Sequence, residues 1–131
     1  MIVGILKEIK PEENRVCMTP AGVEVLIQNG HSVVVEKNAG VGSGLPDSAY
    51  EKAGATMLDT PAQIFEQSDM VMHVKEPQPS EYDMIKAGQI VFTYLHLAAD
   101  QQQTEALIRR KSVNIAYETI QKEDGTLPLL T

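Results

Sequence analysis

The chain has 131 residues, about one domain's worth, and its 43% hydrophobic content is that of a globular protein rather than a disordered one. Its 11 basic and 18 acidic side chains give a net charge of −7, which argues against nucleic-acid backbones and anionic membranes as partners. Its one cysteine, Cys17, excludes an internal disulfide and a multi-cysteine zinc site, and we expect no metal.

No signal peptide or membrane-spanning segment is predicted. Residues 1–10 contain no long apolar stretch after their first charges, and no apolar run approaches the roughly 20 residues that a membrane helix needs. We therefore expect a soluble, cytoplasmic protein.

Strand and helix signals alternate along the chain. Strands are indicated by short β-branched or apolar runs, and helix starts by a capping residue that often precedes proline. In chain order, the prediction is strand 2–6, a helix from Thr19-Pro20 to Asn29-Gly30, strand 32–36, a helix from Pro46-Asp47 to Gly54, strand 55–58, a helix from Thr60-Pro61, strand 69–74, a helix from Ser80 to Gly88, strand 89–94, a helix from Asp100 through Arg110, and strand 113–117.

This alternation predicts an α/β protein with a Rossmann-like, three-layer fold: a mainly parallel sheet flanked by helices. In such open sheets, ligands bind beyond the carboxyl ends of the strands. Ionisable residues follow four of the predicted strands at that edge. They are Lys7, Glu8 and Arg15 after the first strand, Lys75 and Glu76 after strand 69–74, His96 after strand 89–94, and Glu118 after the last strand.

Three of these residues suit a small anionic carbonyl compound such as a 2-oxo acid. Arg15 offers a planar fork for a carboxylate, Lys75 a positive charge for a carboxylate or carbonyl oxygen, and His96 a proton exchanged near neutral pH. Each also has a plain alternative, as a surface arginine, a solvated lysine and a hydrogen-bonded structural histidine.

Other candidates have weaker functional signals. His31 and His73 are expected to be structural, because one follows a helix-ending glycine and the other lies inside a strand. The loop at residues 40–44 lacks the G-x-G-x-x-G spacing of a phosphate site and is interpreted as a tight turn. Cys17 has no strong catalytic signal.

Five separated segments resemble the alanine dehydrogenase family. They are GILKEIKPEENRVCMTPAGVEVLIQNGHSVVVE, then DMVMHVKEP and VFTYLHLAAD, then IAYETI, and finally GTLPLLT. The resemblance runs over essentially the whole chain. Departures are minor, such as His73 where lysine is frequent.

The resemblance implies NAD-dependent oxidative deamination of L-alanine to pyruvate and ammonia, and the reverse reaction. It makes Arg15 the binder of the substrate carboxylate, Lys75 a contact of substrate oxygen, and His96 the acid–base residue. Tyr94 and Glu118 match positions close to that pocket. It also implies a cytoplasmic homo-oligomer, a hexamer in this family, that acts in L-alanine catabolism.

The family's chain is longer and carries NAD on a further Rossmann domain. The resemblance therefore implies that residues 1–131 are the N-terminal portion of the substrate-binding domain, that the NAD-binding domain is absent from this chain, and that the isolated chain is inactive. The apolar end at residues 127–131 also suggested truncation, with elements of the fold supplied by a missing segment. Two alternatives stay open: a non-catalytic 2-oxo acid binding module and a transhydrogenase α-chain domain.

Overall fold

The computed structural model describes residues 1–95 and 100–129. These residues form one six-stranded sheet in which every neighbouring pair of strands is parallel, which confirms the predicted α/β class. The strands are β1 Ile2–Ile5, β2 Ser32–Glu36, β3 Thr56–Leu58, β4 Met70–Met72, β5 Ile90–Thr93 and β6 Val113–Ala116.

Four helices connect most of the strands: α1 Pro20–Gln28, α2 Asp47–Lys52, α3 Pro61–Gln67 and α4 Gln101–Arg110. The predicted capping residues begin three of them. Thr19 accepts a hydrogen bond from the Gly22 amide at α1, Thr60 forms a capping box at α3, and Asp100 accepts from the Gln103 amide at α4. These bonds satisfy amides that the first helical turn leaves without partners.

The predicted helix from Ser80 to Gly88 is wrong in type and bounds. The chain instead forms a 3₁₀ helix over Pro79–Met84, and its capping residue is Gln78. Proline at the first helical position and a capping box between Gln78 and Glu81 start the turn two residues before Ser80. The chain returns to an extended conformation at Ile85, so the helix ends well before Gly88.

Strand β4 is shorter than the predicted strand 69–74, and the reason is a side chain. The backbone amides of Val74 and Lys75 donate to the carboxylate of Glu8, at N···O distances of 3.1 and 2.8 Å. The Glu8 side chain, beyond the end of β1, thus accepts the amide hydrogen bonds that the backbone of a neighbouring strand would accept if β4 were longer. The other strand bounds agree with prediction within one residue.

Helices cover both faces of the sheet, which confirms the three-layer architecture. Strand residues alternate between the faces, so Val35 belongs to the core cluster that contains residues of α1 and α2, whereas Val34 belongs to the cluster that contains residues of α3 and α4. The end of α3 lies close against β1 because residue 4 is glycine. A Cβ atom there would lie 2.1 Å from the Ser68 hydroxyl oxygen.

The strand order β3-β2-β1-β4-β5-β6 reverses direction between β1 and β4. The chain moves outward on one side through β2 and β3, and then outward on the other side through β5 and β6. The crevice at the carboxyl ends of β1 and β4 is the place where this topology binds ligands. Among the helices in the described ranges, none has the length and apolar character needed to cross a membrane.

Candidate active site

A cavity of about 500 Å³ opens at the carboxyl ends of β4 and β5, on the sheet face that carries α1 and α2. Its wall is mainly apolar and aromatic, as expected for a small-molecule pocket with few orienting polar groups. The lining residues are Arg15, Val16, Cys17, Thr19, Ser43, Leu45, Met72, Val74, Phe92, Tyr94, Tyr117 and Leu129.

Three aromatic rings form one side of this cavity. Tyr117 packs edge-on against Phe92, with ring centres 4.4 Å apart, and against Tyr94, with ring centres 4.9 Å apart. The Tyr94 hydroxyl donates a hydrogen bond to the carbonyl of Leu129. Burial raises the pKa of Tyr117, which keeps its hydroxyl neutral. This side of the cavity is therefore rigid and uncharged.

Arg15 is the one charged side chain among the described residues that line the cavity. Its side chain is 61% exposed and donates two hydrogen bonds to the Glu13 carboxylate: Nε to Oε2 at 2.8 Å and Nη2 to Oε1 at 2.6 Å. These bonds lower the pKa of Glu13 to about 2 and raise the pKa of Arg15. The fork thus already holds a carboxylate in the geometry that a substrate carboxylate would take.

The loop that carries Arg15 is supported by the glycine-rich segment. Residues Val41–Ser43 form a 3₁₀ turn that ends at Gly44 with φ of 78°, which confirms the predicted tight turn. The Ser43 hydroxyl donates to the Asn14 carbonyl at 2.7 Å, and a Cβ on Gly42 would lie 3.0 Å from the Asn14 side chain. This close packing fixes the backbone next to Arg15.

Lys75 follows β4 and does not line the cavity. Its backbone is held on both sides: the amide donates to Glu8 at 2.8 Å, and its carbonyl accepts from the Thr93 hydroxyl at 2.8 Å. Its charge adds to the lowering of the Glu13 pKa. Of the two predicted cations, only Arg15 contacts Glu13 directly and lines the cavity.

The remaining predicted site residues follow β5 and β6. His96 lies outside the described residues. Tyr94 lines the cavity, as described above. Glu118 is not among the lining residues, and its two carboxylate oxygens lie 3.0 and 3.3 Å from the Leu95 amide, which donates to them. Glu118 thus fixes the backbone immediately before His96.

A buried triad formed by Glu8, His73 and Glu81 lies beyond the ends of β1 and β4. His73 Nδ1 is 2.5 Å from Glu8 Oε2, and its Nε2 is 2.6 Å from Glu81 Oε2. Burial alone lowers the pKa of His73, but the hydrogen bonds to the two carboxylates outweigh it and raise that pKa to about 10. The structural role expected for His73 is confirmed.

No local pattern predicts the partners of His73, because Glu8 and Glu81 lie 65 and 8 residues away along the chain. Two further features of the site were also missed: Glu13 as the partner of Arg15, and the return of Leu129 to the cavity. Cys17 lies in the wall, and burial raises the pKa of its thiol, so it remains protonated. Within residues 1–95 and 100–129, no cluster of His, Cys, Asp and Glu has a metal-binding arrangement.

Residues 4–131 match the family model described as "Alanine dehydrogenase/PNT, N-terminal domain". Alanine dehydrogenases of Methanococcus maripaludis and Bacillus subtilis are 52% and 53% identical to the chain over all 131 residues. The chain spans about a third of the length of these curated relatives, 35% and 34% respectively.

Two solved structures have the same fold. An L-alanine dehydrogenase superposes with a TM-score of 0.96 at 44% identity, which covers 99% of this chain and 36% of that one. A transhydrogenase from Sinorhizobium meliloti superposes with a TM-score of 0.84 at 32% identity, which covers 90% of this chain and 35% of that one.

Proposed function

Since the chain belongs to the alanine dehydrogenase/PNT N-terminal domain family, we propose that it is the N-terminal portion of the substrate-binding domain of an NAD-dependent alanine dehydrogenase. Such an enzyme interconverts L-alanine with pyruvate and ammonia. The observation that carries the proposal is Arg15, whose fork holds a carboxylate at the mouth of an apolar cavity beside the switch point of the sheet. The likeness to alanine dehydrogenases over the whole chain supports it.

The proposed roles of the side chains follow from their chemistry. Arg15 binds the substrate carboxylate through two parallel N–H···O bonds after it exchanges Glu13 for the substrate. Lys75 places its ammonium near the substrate oxygen, and His96 exchanges protons with the reacting centre. Tyr94 and its aromatic neighbours shape the apolar side that faces the substrate methyl group.

The residues at the end of β1 do not fit the diphosphate of a dinucleotide. Where a dinucleotide-binding strand leads into glycines, this chain has the side chains of Lys7 and Glu8. The Glu8 carboxylate already accepts from the Val74 and Lys75 amides, and the Glu36 carboxylate accepts from the Lys7 amide at 3.0 Å, so these backbone N–H groups are not open to phosphate. NAD supplies hydride transfer in such an enzyme, and we assign its binding to a part of the protein outside this chain.

Three further properties belong to the same proposal. The complete enzyme is a homo-oligomer, a hexamer in keeping with the family resemblance, and it acts in the cytoplasm on L-alanine and pyruvate. The 131-residue chain alone does not reduce NAD, because it holds the substrate half of the site without the cofactor half.

A direct assay tests the proposal. The isolated chain and the complete protein that contains it are each incubated with L-alanine and NAD, and NADH is followed by absorbance. We expect NADH from the complete protein only. NADH formation by the isolated chain, or none from the complete protein, contradicts the proposal.

The two alternatives lead to different results. A 2-oxo acid binding module would bind pyruvate tightly as an isolated chain in calorimetry, whereas half of a domain-interface site binds it weakly. A transhydrogenase domain would give no NADH with L-alanine. The higher identity and TM-score of the L-alanine dehydrogenase structure favour the dehydrogenase.

A further inference from the structure

The buried triad joins three elements at the switch point: the end of β1 through Glu8, the end of β4 through His73, and the 3₁₀ helix through Glu81. All three side chains are at most 3% exposed. Charged groups are rarely sealed in this way, because removing them from water is costly unless they are paired and hydrogen-bonded. The function proposed above does not use this cluster.

Hydrogen-bond chemistry sets the charge of His73. Both ring nitrogens lie within 2.6 Å of carboxylate oxygens, and an ionised carboxylate only accepts hydrogen bonds. Both nitrogens must therefore carry protons, which makes the ring an imidazolium. Its positive charge lies between two negative ones and holds the Glu8 carboxylate in place.

Glu8 also accepts hydrogen bonds from the backbone at Lys75, which Glu81 does not. Its Oε2 accepts from His73 and from the Val74 amide, and its Oε1 accepts from the Lys75 amide. Lys75 is the residue proposed to contact substrate oxygen. Its backbone lies beyond the end of β4 and is held there by a charge-assisted hydrogen bond to Glu8. Glu81 instead accepts from the Gln78 amide at 2.9 Å, in the 3₁₀ helix.

We propose that Glu8 is the positioning residue for Lys75: it fixes the backbone from which the Lys75 ammonium reaches the substrate, and His73 holds it there by neutralising its charge. The inference rests on the proposed function, because it acts through Lys75. A positional error of about 1 Å at such a group is enough to cost on the order of 100-fold in rate.

Glu8 and Glu81 provide a pair of variants in which one carboxylate of the triad becomes an amide. In Glu8→Gln, both ends of the amide face backbone N–H groups, those of Val74 and Lys75, so the new NH₂ group must face one of them. In Glu81→Gln, the amide oxygen can still accept from the Gln78 N–H while the NH₂ group donates to Nε2 of a neutral His73. Only Glu8→Gln therefore disturbs the backbone that carries Lys75.

The experiment measures thermal midpoints and steady-state kinetics of pyruvate reduction in the complete enzyme. We expect both variants to lose stability, and Glu8→Gln to raise the KM for pyruvate about 10-fold or more, as loss of a supporting residue does. Glu81→Gln should keep that KM within about twofold of wild type. Equal KM values in the two variants overturn the proposal.

A second pair covers the case in which Glu8→Gln does not fold. His73→Lys keeps a cation between the two carboxylates, whereas His73→Gln does not. We expect a near-normal KM in the first variant and a raised KM in the second, and equal values contradict the proposal.

Hydrogen exchange tests the proposal in the wild-type protein, without a variant. The Lys75 amide should exchange as slowly as the amides of β4, and exchange as fast as in an open loop contradicts the proposal.

Lys75→Ala separates this inference from the function on which it rests. If Lys75→Ala raises the KM for pyruvate while the two glutamate variants agree with each other, only the positioning role of Glu8 fails. If Lys75→Ala leaves that KM unchanged, the proposed role of Lys75 fails, and the positioning role fails with it.

Discussion

The two faces of the sheet differ in how charged side chains are held at the strand ends: one carries an exposed cation and the other a buried one. On one face, Arg15 lies at the mouth of the cavity, 61% exposed and bound to Glu13. On the other, His73 is sealed between Glu8 and Glu81. Both are cations held by carboxylates at 2.5–2.8 Å. Only the Arg15 pair has an exposed member, since the Glu13 side chain is itself 9% exposed, and a ligand carboxylate can reach that arginine from the cavity.

The difference shows how burial decides what an ion pair does. An exposed pair contributes about 0–1 kcal/mol, because water replaces either partner at little cost. Removing one member of a buried pair costs roughly 3–5 kcal/mol, because the remaining charge stays buried without compensation. The Arg15 face is therefore suited to binding and the His73 face to holding structure. Each prediction below tests one side of this contrast.

The largest effect is expected for His73→Gln. This variant leaves two carboxylates facing each other without a cation, and the free energy of unfolding should fall by about 3–5 kcal/mol. Urea denaturation of the chain measures it. His31→Gln is the control, since the same substitution at a partly exposed histidine should stay within about 0.5 kcal/mol of wild type. Equal losses in the two variants would show that the triad carries no special stability.

Arg15→Ala should have the next largest effect, on the substrate rather than on the fold. Two charge-assisted hydrogen bonds of about 1.5 kcal/mol each correspond to a loss of about 100-fold in kcat/KM for pyruvate. The unfolding free energy should change by less than about 0.5 kcal/mol. Arg109→Ala, which removes the same charge from the exposed side of α4, should leave the kinetics unchanged. A normal kcat/KM in Arg15→Ala contradicts the role of Arg15.

The pH dependence of stability tests the His73 face. The folded-state pKa of His73, about 10, lies above its ordinary value of 6.5, so its contribution is fully present below pH 6.5 and is lost as pH rises towards 10. We expect the unfolding free energy to fall by up to about 1.4 kcal/mol per pH unit between pH 6.5 and 9.

Above pH 9, Cys17 adds to the fall, because burial raises the pKa of its thiol from 9.0. Burial also raises the pKa of Glu36, so Glu36→Gln serves as a control that must keep the slope. A flat profile between pH 6.5 and 9 would mean that His73 is not held as a cation.

The smallest effect is expected for Glu13→Gln. Pyruvate must displace Glu13 from the Arg15 fork. Because the Arg15 side chain is 61% exposed, we take the pair at about 0.2–1 kcal/mol, which corresponds to about 1.4- to 5-fold tighter binding once the pair is broken. The KM for pyruvate at constant ionic strength measures this effect. Glu12→Gln removes the same charge one residue away and should change the KM less. A raised KM in Glu13→Gln would show that Glu13 supports Arg15 rather than competing with the substrate.

Local signals were sufficient to predict much of the fold. The apolar run before Lys75 predicted a strand buried on both faces, and β4 lies between β1 and β5. Threonine followed by proline predicted the starts of α1 and α3 because both the cap and the fixed φ are properties of adjacent residues. The parallel sheet followed from the alternation, because a crossover helix places consecutive strands in the same direction.

Long-range pairs could not be predicted in the same way. Glu8 and His73 are 65 residues apart, and nothing in either segment shows that the end of β1 turns a carboxylate towards β4. Lys75 was predicted as a site residue, but the carboxylate that holds its backbone was not. Pairing of this kind depends on the order of strands in the sheet, which becomes known only when the chain is folded.

The claim that Arg15 binds the substrate carboxylate is tested most directly by changing both partners. Reduction of pyruvate and of pyruvamide, in which an amide replaces the carboxylate, is measured in the complete enzyme with Arg15 and with Arg15→Ala. We expect Arg15→Ala to lower kcat/KM about 100-fold for pyruvate and only a few-fold for pyruvamide. An equal loss with both substrates would contradict it, because Arg15 would then act on something other than the carboxylate.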